Sequence, residues 1–169
     1  MISIIGGKFK RKKIHIPLNE VRPTSSIKRE AIFSILESLS LKNSFELYLE
    51  KCFIGLFAGS GSLGLEAISR GASFSYFYEL DNDVTKILKK NCEMICKKKE
   101  FKIFNQDSTT ITYFEIDFPV SVIFIDPPYK FLLYNKILEL IIRSKIINKN
   151  TIIVIELDKK NIIKFSSHF

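Results

Sequence analysis

The stretch VSVIFIDPPY, residues 120–129, ends a hydrophobic run with a carboxylate, two prolines and an aromatic ring. The amine of a nucleobase is a poor nucleophile because its lone pair is delocalised into the ring. Asp126 and the carbonyl of Pro127 can accept its two N–H bonds, and Pro128 keeps the turn rigid. Tyr129 can stack on a base that has turned out of its helix or loop. These four residues are candidate catalytic residues for chemistry at a nucleobase amine, although an Asp before two prolines is also ordinary turn chemistry.

A glycine-rich turn, GSGSLG at residues 59–64, follows a second hydrophobic run and opens a helical pattern. Gly59 allows a sharp turn, and Gly61 is expected to let the backbone approach a ligand. Glu79 comes 20 residues after Gly59 and is placed to accept hydrogen bonds from ribose hydroxyls, with Asp81 nearby. The spacing predicts an adenosine-type ligand, and by itself it would fit a dinucleotide equally well.

A third polar cluster, NQDSTT at residues 105–110, follows another short apolar run. The Asp107 carboxylate can accept from an adenine amine, and Ser108 can offer a backbone N–H or hydroxyl to a ring nitrogen. An Asp-Ser pair is equally an ordinary helix cap.

The chain has 169 residues, enough for one domain, and a formal net charge of +8. A basic excess of this size favours a polyanionic partner such as nucleic acid. Five cations without an intervening acid lie in the turn region of a predicted amino-terminal β-hairpin, and they form a candidate phosphate-contacting finger: Lys8, Lys10, Arg11, Lys12 and Lys13.

The three cysteines form no CxxC pair, and only two histidines are present, so no metal site is expected. With no secretory signal and no apolar run of about 20 residues, the expected location is the cytoplasm, with no membrane partner.

Short apolar strands alternate with amphipathic helices from residue 52 onward, which predicts an α/β fold with a mostly parallel sheet and helices on both faces. Residues 1–169 are expected to form one domain, with an amino-terminal hairpin-plus-helix extension over 1–45 and a catalytic core over 50–169.

In the first helix, one apolar stripe is predicted: Ile27, Ala31, Ile32, Ile35 and Leu36. A short helix is also predicted within 106–115.

Five segments together resemble the RsmD-type family of 16S rRNA guanine-N2 methyltransferases: IIGGKFKRKKI, RPTSSIKREAIFSIL, LFAGSGSLGLEAISRGA, YFYELD and IFIDPPY. The Asp-Pro-Pro-Tyr tetrad and the glycine loop are shared widely among amino-methylating enzymes. The amino-terminal IIGGKFKRKK with RPT is the more specific part of the resemblance.

The resemblance implies a Rossmann-like class I fold, S-adenosylmethionine as cofactor, and methyl transfer to the N2 amine of a guanine in 16S rRNA. It implies a cofactor site at Glu79, Asp81, Asp107, Ser108 and the turn Phe57, Ala58, Gly59, Ser60 and Gly61. It implies an RNA-binding side that adds Arg22 and Arg29 to the hairpin cations. The implied partner is 16S rRNA or a small-subunit assembly particle, with the protein acting as a monomer.

Two positions depart from the family pattern. Gly55 stands where the family has an acidic residue in strand one, and only DKKNIIKFSSHF follows the fifth strand, so the carboxyl-terminal strands are expected to be truncated. Two alternatives stay open: an amino-group DNA methyltransferase, and a weakly active or non-catalytic RNA-binding derivative. A nicotinamide-dependent oxidoreductase fits less well, because it would not need the junction at Asp126.

Overall fold

The computed structural model of the chain describes residues 1–17, 24–128 and 133–157. Its strands are β1 (Ile2–Ser3), β2 (Lys13–Ile14), β3 (Cys52–Leu56), β4 (Phe74–Tyr78), β5 (Phe101–Phe104), β6 (Val120–Ile125) and β7 (Ile152–Ile155). Its helices are α1 (Ser26–Asn43), α2 (Ser62–Arg70), α3 (Asn82–Ile95) and α4 (Tyr134–Arg143), with a short 3-10 turn at Gly7–Phe9.

The central sheet has five parallel strands in the order β5-β4-β3-β6-β7. All residues of β3 and β6 are buried, as expected for continuous apolar strands covered on both faces. The prediction of a mostly parallel, Rossmann-like α/β fold is therefore confirmed.

Helices cover both faces of the sheet. On one face, α1, α2 and α3 pack with the amino-terminal residues; on the other, α4 packs with the segment 105–119. That segment contains no helix, so the prediction of a short helix there is wrong. Its apolar side chains Ile111 and Phe114 are buried against the sheet instead.

The predicted hairpin exists, with strands of only two residues each: β1 and β2 pair antiparallel. Glu66 of α2 fixes it to the core. This carboxylate is fully buried and accepts hydrogen bonds from the N–H groups of Ile5 at 2.8 Å and Gly6 at 2.7 Å. It also accepts one from Nε of Arg70 at 2.9 Å. The buried charge is thus compensated by a cation and by backbone donors that the hairpin supplies.

Asn91 of α3 makes a second polar connection between the extension and the core. Its fully buried side chain accepts from His15 N–H at 2.8 Å and donates to the carbonyls of His15 and Ser60, each at 2.9 Å. The end of the hairpin and the glycine turn are therefore held by one amide group.

The predicted apolar stripe of α1 is wrong in part. The helix buries Arg29, Phe33 and Leu36, whereas Ile27 and Ile35 are 83% and 60% exposed. Arg29 can lie on the buried face because its guanidinium donates hydrogen bonds to two backbone carbonyls, one just before the helix and one in β1. Hydrophobic spacing alone does not reveal a buried cation satisfied by backbone acceptors.

The segment after β7 was expected to be a truncated carboxyl-terminal end of the sheet. Residues 158–169 lie outside the described residues, and β7 borders the sheet within the part that is described.

No helix within residues 1–17, 24–128 and 133–157 combines the length and apolar character needed to cross a membrane.

Replacing Glu66 with Gln should lower the free energy of unfolding by about 3 kcal/mol, because the amide retains one acceptor and adds donors facing buried N–H groups. Urea unfolding followed by circular dichroism measures the change. Amide hydrogen exchange at Ile5 and Gly6 should accelerate with it.

The matched control is Glu139→Gln, which removes an exposed carboxylate 3.7 Å from Arg143 and should leave the unfolding midpoint unchanged. An equal loss of stability in both variants would contradict a specific anchoring role for Glu66.

Candidate active site at the carboxyl ends of the strands

The central pairing of the sheet places the two candidate motifs side by side. In the parallel ladder between β3 and β6, Leu56 is paired with Ile125. Phe57 and Asp126 are the next residues on neighbouring strands, so they leave the sheet at the same edge. The glycine turn and the Asp126 junction thus lie side by side where open α/β sheets bind their ligands, and the region between these loops is called the crevice below.

The turn after β3 has an unusual backbone. Phe57 has φ of 61° and is followed by Gly59 at 53° and Gly61 at 81°. A positive φ costs a residue with a side chain roughly 1 to 2 kcal/mol. Such conformations persist where the surrounding structure enforces them, and they are concentrated at functional sites. The accessible part of the turn is Phe57 to Gly59, each half-buried, whereas Ser60 and Gly61 are buried.

Packing requires glycine at two positions in and just after this turn. A Cβ on Gly61 would lie 2.4 Å from a Leu88 methyl, and one on Gly64 would lie 2.4 Å from the Phe77 ring. The expectation that Gly61 clears space for a ligand is therefore corrected, since the space is taken by α3. Ser60 leaves its buried Oγ without a hydrogen-bond partner among the described residues.

Gly55 lies in β3 directly below this turn. A Cβ there would meet Ala58 and Phe77 at 3.7 and 3.8 Å, which are ordinary contact distances. Packing therefore leaves room for a Cβ at Gly55, the position where the resemblance implies an acidic residue.

Glu79 lies at the end of β4, half-buried beside the turn. Its Oε2 accepts from Gly59 N–H at 2.9 Å and its Oε1 from Asp81 N–H at 3.0 Å. Asp81 is exposed and caps α3, accepting from Asp83 and Val84 N–H. Each Glu79 oxygen keeps a second lone pair, so the carboxylate shapes the turn and can still accept from a ligand.

Leu80, between these two acids, is 62% exposed. Sequence reasoning missed it, although a leucine flanked by acids at a strand end is itself a signal. An apolar side chain beside a carboxylate suits the face of an aromatic base next to its sugar.

The loop after β5 brings Asp107 and Ser108 to the same edge. Ser108 is buried, and its hydroxyl accepts from Phe57 N–H at 3.3 Å, which joins two loops of the crevice. Asp107 is half-buried, and its Oδ1 accepts from Thr109 N–H at 2.7 Å. The Ser108 hydroxyl therefore has an internal role.

Asp126 is surrounded by groups from three elements. Its Oδ2 accepts from the Thr24 hydroxyl at 3.2 Å, just before α1. Glu156 follows β7 directly, donates its own N–H to the carbonyl of Ile125 at 2.9 Å, and forms an ion pair with Lys28 of α1. Burial, reinforced by the Glu156 carboxylate, raises the pKa of Asp126 to about 6, while Thr24 and Lys28 oppose the rise.

Pro127 is half-buried and Pro128 is exposed. Tyr129, the fourth candidate catalytic residue, lies outside the described residues.

The candidate RNA-binding cations of the hairpin are exposed but lie away from the crevice. Phe9 N–H donates to the Ser69 hydroxyl at 2.9 Å, and Lys8 pairs with Glu100 at 3.4 Å. Ser69 is near the end of α2 and Glu100 precedes β5, so both mark the amino end of the sheet. Because α2 has nine residues, the hairpin tip lies about 13 Å, one helix length, from the glycine turn.

Arg29 does not belong to an RNA-binding surface, so that prediction is wrong. Its side chain is 1% exposed and donates to the carbonyls of Thr24 at 2.6 Å and Ser3 at 2.7 Å. Its role is to join β1 to the start of α1. Arg22 lies outside the described residues.

A basic run that the sequence analysis passed over continues the hairpin surface. Lys97, Lys98 and Lys99 are exposed between α3 and β5, directly before the Glu100 that Lys8 contacts. The run KKK was visible in the sequence, but its proximity to the hairpin tip is a product of the fold.

Within the described part of the chain, no group of three or more His, Cys, Asp or Glu side chains is arranged to hold a metal ion.

Comparison with known proteins agrees with this architecture. The family model described as Conserved hypothetical protein 95 matches residues 2–168. Ribosomal RNA small subunit methyltransferase D of Buchnera aphidicola subsp. Acyrthosiphon pisum is 39% identical over 168 residues, 96% of this chain and 81% of that protein. The protein of the same name from Haemophilus influenzae is 32% identical over 161 residues, 94% of this chain and 79% of its own.

Among solved structures, the HI0767 protein of Haemophilus influenzae superposes with a TM-score of 0.69 at 29% identity, covering 95% of this chain and 85% of that one. The parallel sheet carries a strained glycine turn beside an Asp-Pro-Pro junction, and the family match over nearly the whole chain is consistent with that site. The chain therefore belongs to the Conserved hypothetical protein 95 family, the RsmD family of small-subunit ribosomal RNA methyltransferases.

Proposed function

We propose that this protein transfers a methyl group from S-adenosylmethionine to the N2 amine of a guanine in small-subunit ribosomal RNA. The observation that carries the proposal is the pairing of Leu56 with Ile125, which sets Asp126 beside the turn that begins at Phe57. The names of the relatives support the RNA substrate.

The residues of the crevice fit the proposed cofactor. Glu79 offers free lone pairs for ribose hydroxyls, and exposed Leu80 offers an apolar surface for adenine. Asp81 and Asp107 lie at the same edge, with Asp107 suited to an adenine amine. The unpartnered Oγ of buried Ser60 is an additional polar group within the turn. Together these carboxylates give the crevice a negative charge that suits a cationic sulfonium.

The Asp126 junction would position the reacting amine. S-adenosylmethionine supplies an electrophilic methyl group when bound. The Asp126 carboxylate and the Pro127 carbonyl accept the two amine N–H bonds, which favours a pyramidal nitrogen and directs its lone pair along one line. As the nitrogen bonds to the methyl carbon, the methyl–sulfur bond would break and the cofactor would leave as the neutral thioether. The carboxylate would stabilise the positive charge that the nitrogen gains and would then accept one N–H proton from it. Thr24 fixes the carboxylate by donating to its Oδ2.

The basic surface of the hairpin tip and Lys97–Lys99 would hold RNA phosphates. Its distance of about 13 Å from the glycine turn means that a bound RNA must extend along the face that carries α2 and α3. The acidic crevice then receives a single base, while affinity for the polyanion comes from cations outside it.

Replacing Asp126 with Asn should lower kcat by about 100- to 1,000-fold, because the amide removes the charge and one acceptor at the amine. Wild-type kcat/KM should rise as pH increases through about 6, since only the ionised carboxylate accepts both N–H bonds, and the variant should lose this limb. Labelled cofactor with unmethylated small-subunit RNA or particles, followed by nucleoside analysis, measures transfer to guanine N2.

Asp83→Asn is the matched control, because Asp83 is an exposed carboxylate that pairs with Lys86 on α3. It should keep wild-type activity. Undiminished transfer by the Asp126 variant contradicts the assignment. Label on adenine or cytosine of DNA would favour the DNA methyltransferase, and RNA binding with no calorimetric cofactor affinity would favour the non-catalytic derivative.

The variants Lys10→Gln and Lys98→Gln should each weaken RNA binding and reduce the slope of log affinity against log salt by about one, the signature of one lost phosphate contact. Filter binding over a salt series measures both quantities.

Lys136→Gln is the control, because Lys136 is exposed on α4, on the opposite face of the sheet. A slope that changes equally in all three variants would remove the basic surface from the RNA site.

A further inference from the structure

A second carboxylate accompanies Asp126 at the edge of the sheet. In the parallel ladder between β6 and β7, Ile125 is paired with Ile155, so Asp126 and Glu156 are the next residues on adjacent strands. The hydrogen bond from Glu156 N–H to the Ile125 carbonyl, at 2.9 Å, continues the ladder to this point. The two acidic side chains therefore lie together by construction of the sheet.

The first turn of α1 supplies each of these carboxylates with a partner. Thr24 donates to Asp126, and Lys28 forms an ion pair with Glu156. The start of the helix is itself fixed, because Ser25 caps it by accepting from Lys28 N–H and Arg29 joins Thr24 to β1. The extension thus contacts this edge through Thr24 and Lys28, while Ser25 and Arg29 fix the start of the helix that carries them.

We propose that Glu156 and Lys28 are positioning residues that act through Asp126, with the ion pair setting the charge that Asp126 carries when the target amine arrives. The inference rests on the proposed function, because it concerns the residue that would hold the amine. Nothing in the Asp-Pro-Pro-Tyr motif points to either residue.

The two members of the pair act on Asp126 in opposite directions. The Glu156 carboxylate disfavours a second negative charge beside it, whereas the Lys28 ammonium favours one. In the described residues, the charged groups that face Asp126 are Lys28 and Glu156, with the Arg29 guanidinium one step away through the Thr24 carbonyl. The Glu156 side chain is 37% exposed, so solvent moderates its effect without removing it.

An ion pair with only a structural role gives a different pattern. Removing either partner of such a pair changes stability in the same direction and leaves the ionisation of Asp126 unaltered. Opposite shifts from the two partners are therefore the diagnostic result.

The test uses Glu156→Gln and Lys28→Met, with Lys28→Arg as the conservative control. Carbon-detected NMR titration of the Asp126 carboxyl, in the full chain without cofactor or RNA, reports its ionisation directly. Glu156→Gln should move the midpoint toward lower pH and Lys28→Met toward higher pH, each by about tenfold in proton affinity. Lys28→Arg should keep the wild-type midpoint. Thermal melting confirms that each variant is folded.

The same variants are then assayed for methyl transfer across pH. The acidic limb of kcat/KM should move with the NMR midpoint, so that Lys28→Met loses activity near pH 6 and recovers it at higher pH. Midpoints that shift in the same direction for both variants, or do not shift, overturn the proposal even if methyl transfer to RNA is observed. Opposite NMR shifts without any methyl transfer support the coupling and count against the proposed function instead.

Discussion

The parallel pairing of β3 with β6 is the constraint on which the site depends. It is the centre of the sheet, and both strands are fully buried, so its register is fixed by the side chains on both faces. A shift by one residue would move Asp126 away from the Phe57 turn and turn each β6 side chain toward the opposite face, where the packing does not match it. The stability of the core and the geometry of the crevice are thus set by the same ladder.

The amino-terminal extension completes this edge. Besides the apolar side chains that it buries against the core, it makes three specific polar connections: Glu66 binds the hairpin backbone, Asn91 binds His15 and Ser60, and Thr24 binds Asp126. Because Ser60 belongs to the glycine turn, the extension touches both the cofactor side and the amine side of the proposed reaction. Although the chain has a net charge of +8, carboxylates lie around the crevice. The basic surface of the hairpin lies at the other end of the same sheet.

Much of this was predictable from the sequence. The alternation of apolar strands with helices predicted the parallel sheet. Glu79 was predicted to accept from ribose hydroxyls; in the structure it lies beside the glycine turn and accepts from Gly59 N–H at 2.9 Å, and its role toward a ribose stays a prediction. The Asp126 motif and the glycine turn each follow a predicted strand, and the carboxyl ends of parallel strands meet at one edge of the sheet. These features follow from local sequence patterns and from general rules of strand connection, so a single sequence is enough to predict them.

What the sequence did not predict depends on contacts between distant residues. Arg29 was assigned to the RNA side by the resemblance, whereas the carbonyls of Ser3 and Thr24 make its burial favourable. Gly61 was assigned to ligand approach, whereas the Leu88 methyl determines it. Glu156 and Lys28 carried no motif, because their contact arises where β7 ends and α1 begins at the same edge.

The anchoring of the extension bears on where this polypeptide can be divided. The sequence suggests a boundary between residues 45 and 50, yet a fragment that starts there would retain Glu66, Ser69 and Asn91 without the backbone groups that satisfy them. The costliest of these losses would be at Glu66, whose carboxylate would keep its contact with Arg70 but lose both backbone N–H donors. We therefore expect the two segments to unfold together, so that neither is a module that recombination could exchange intact.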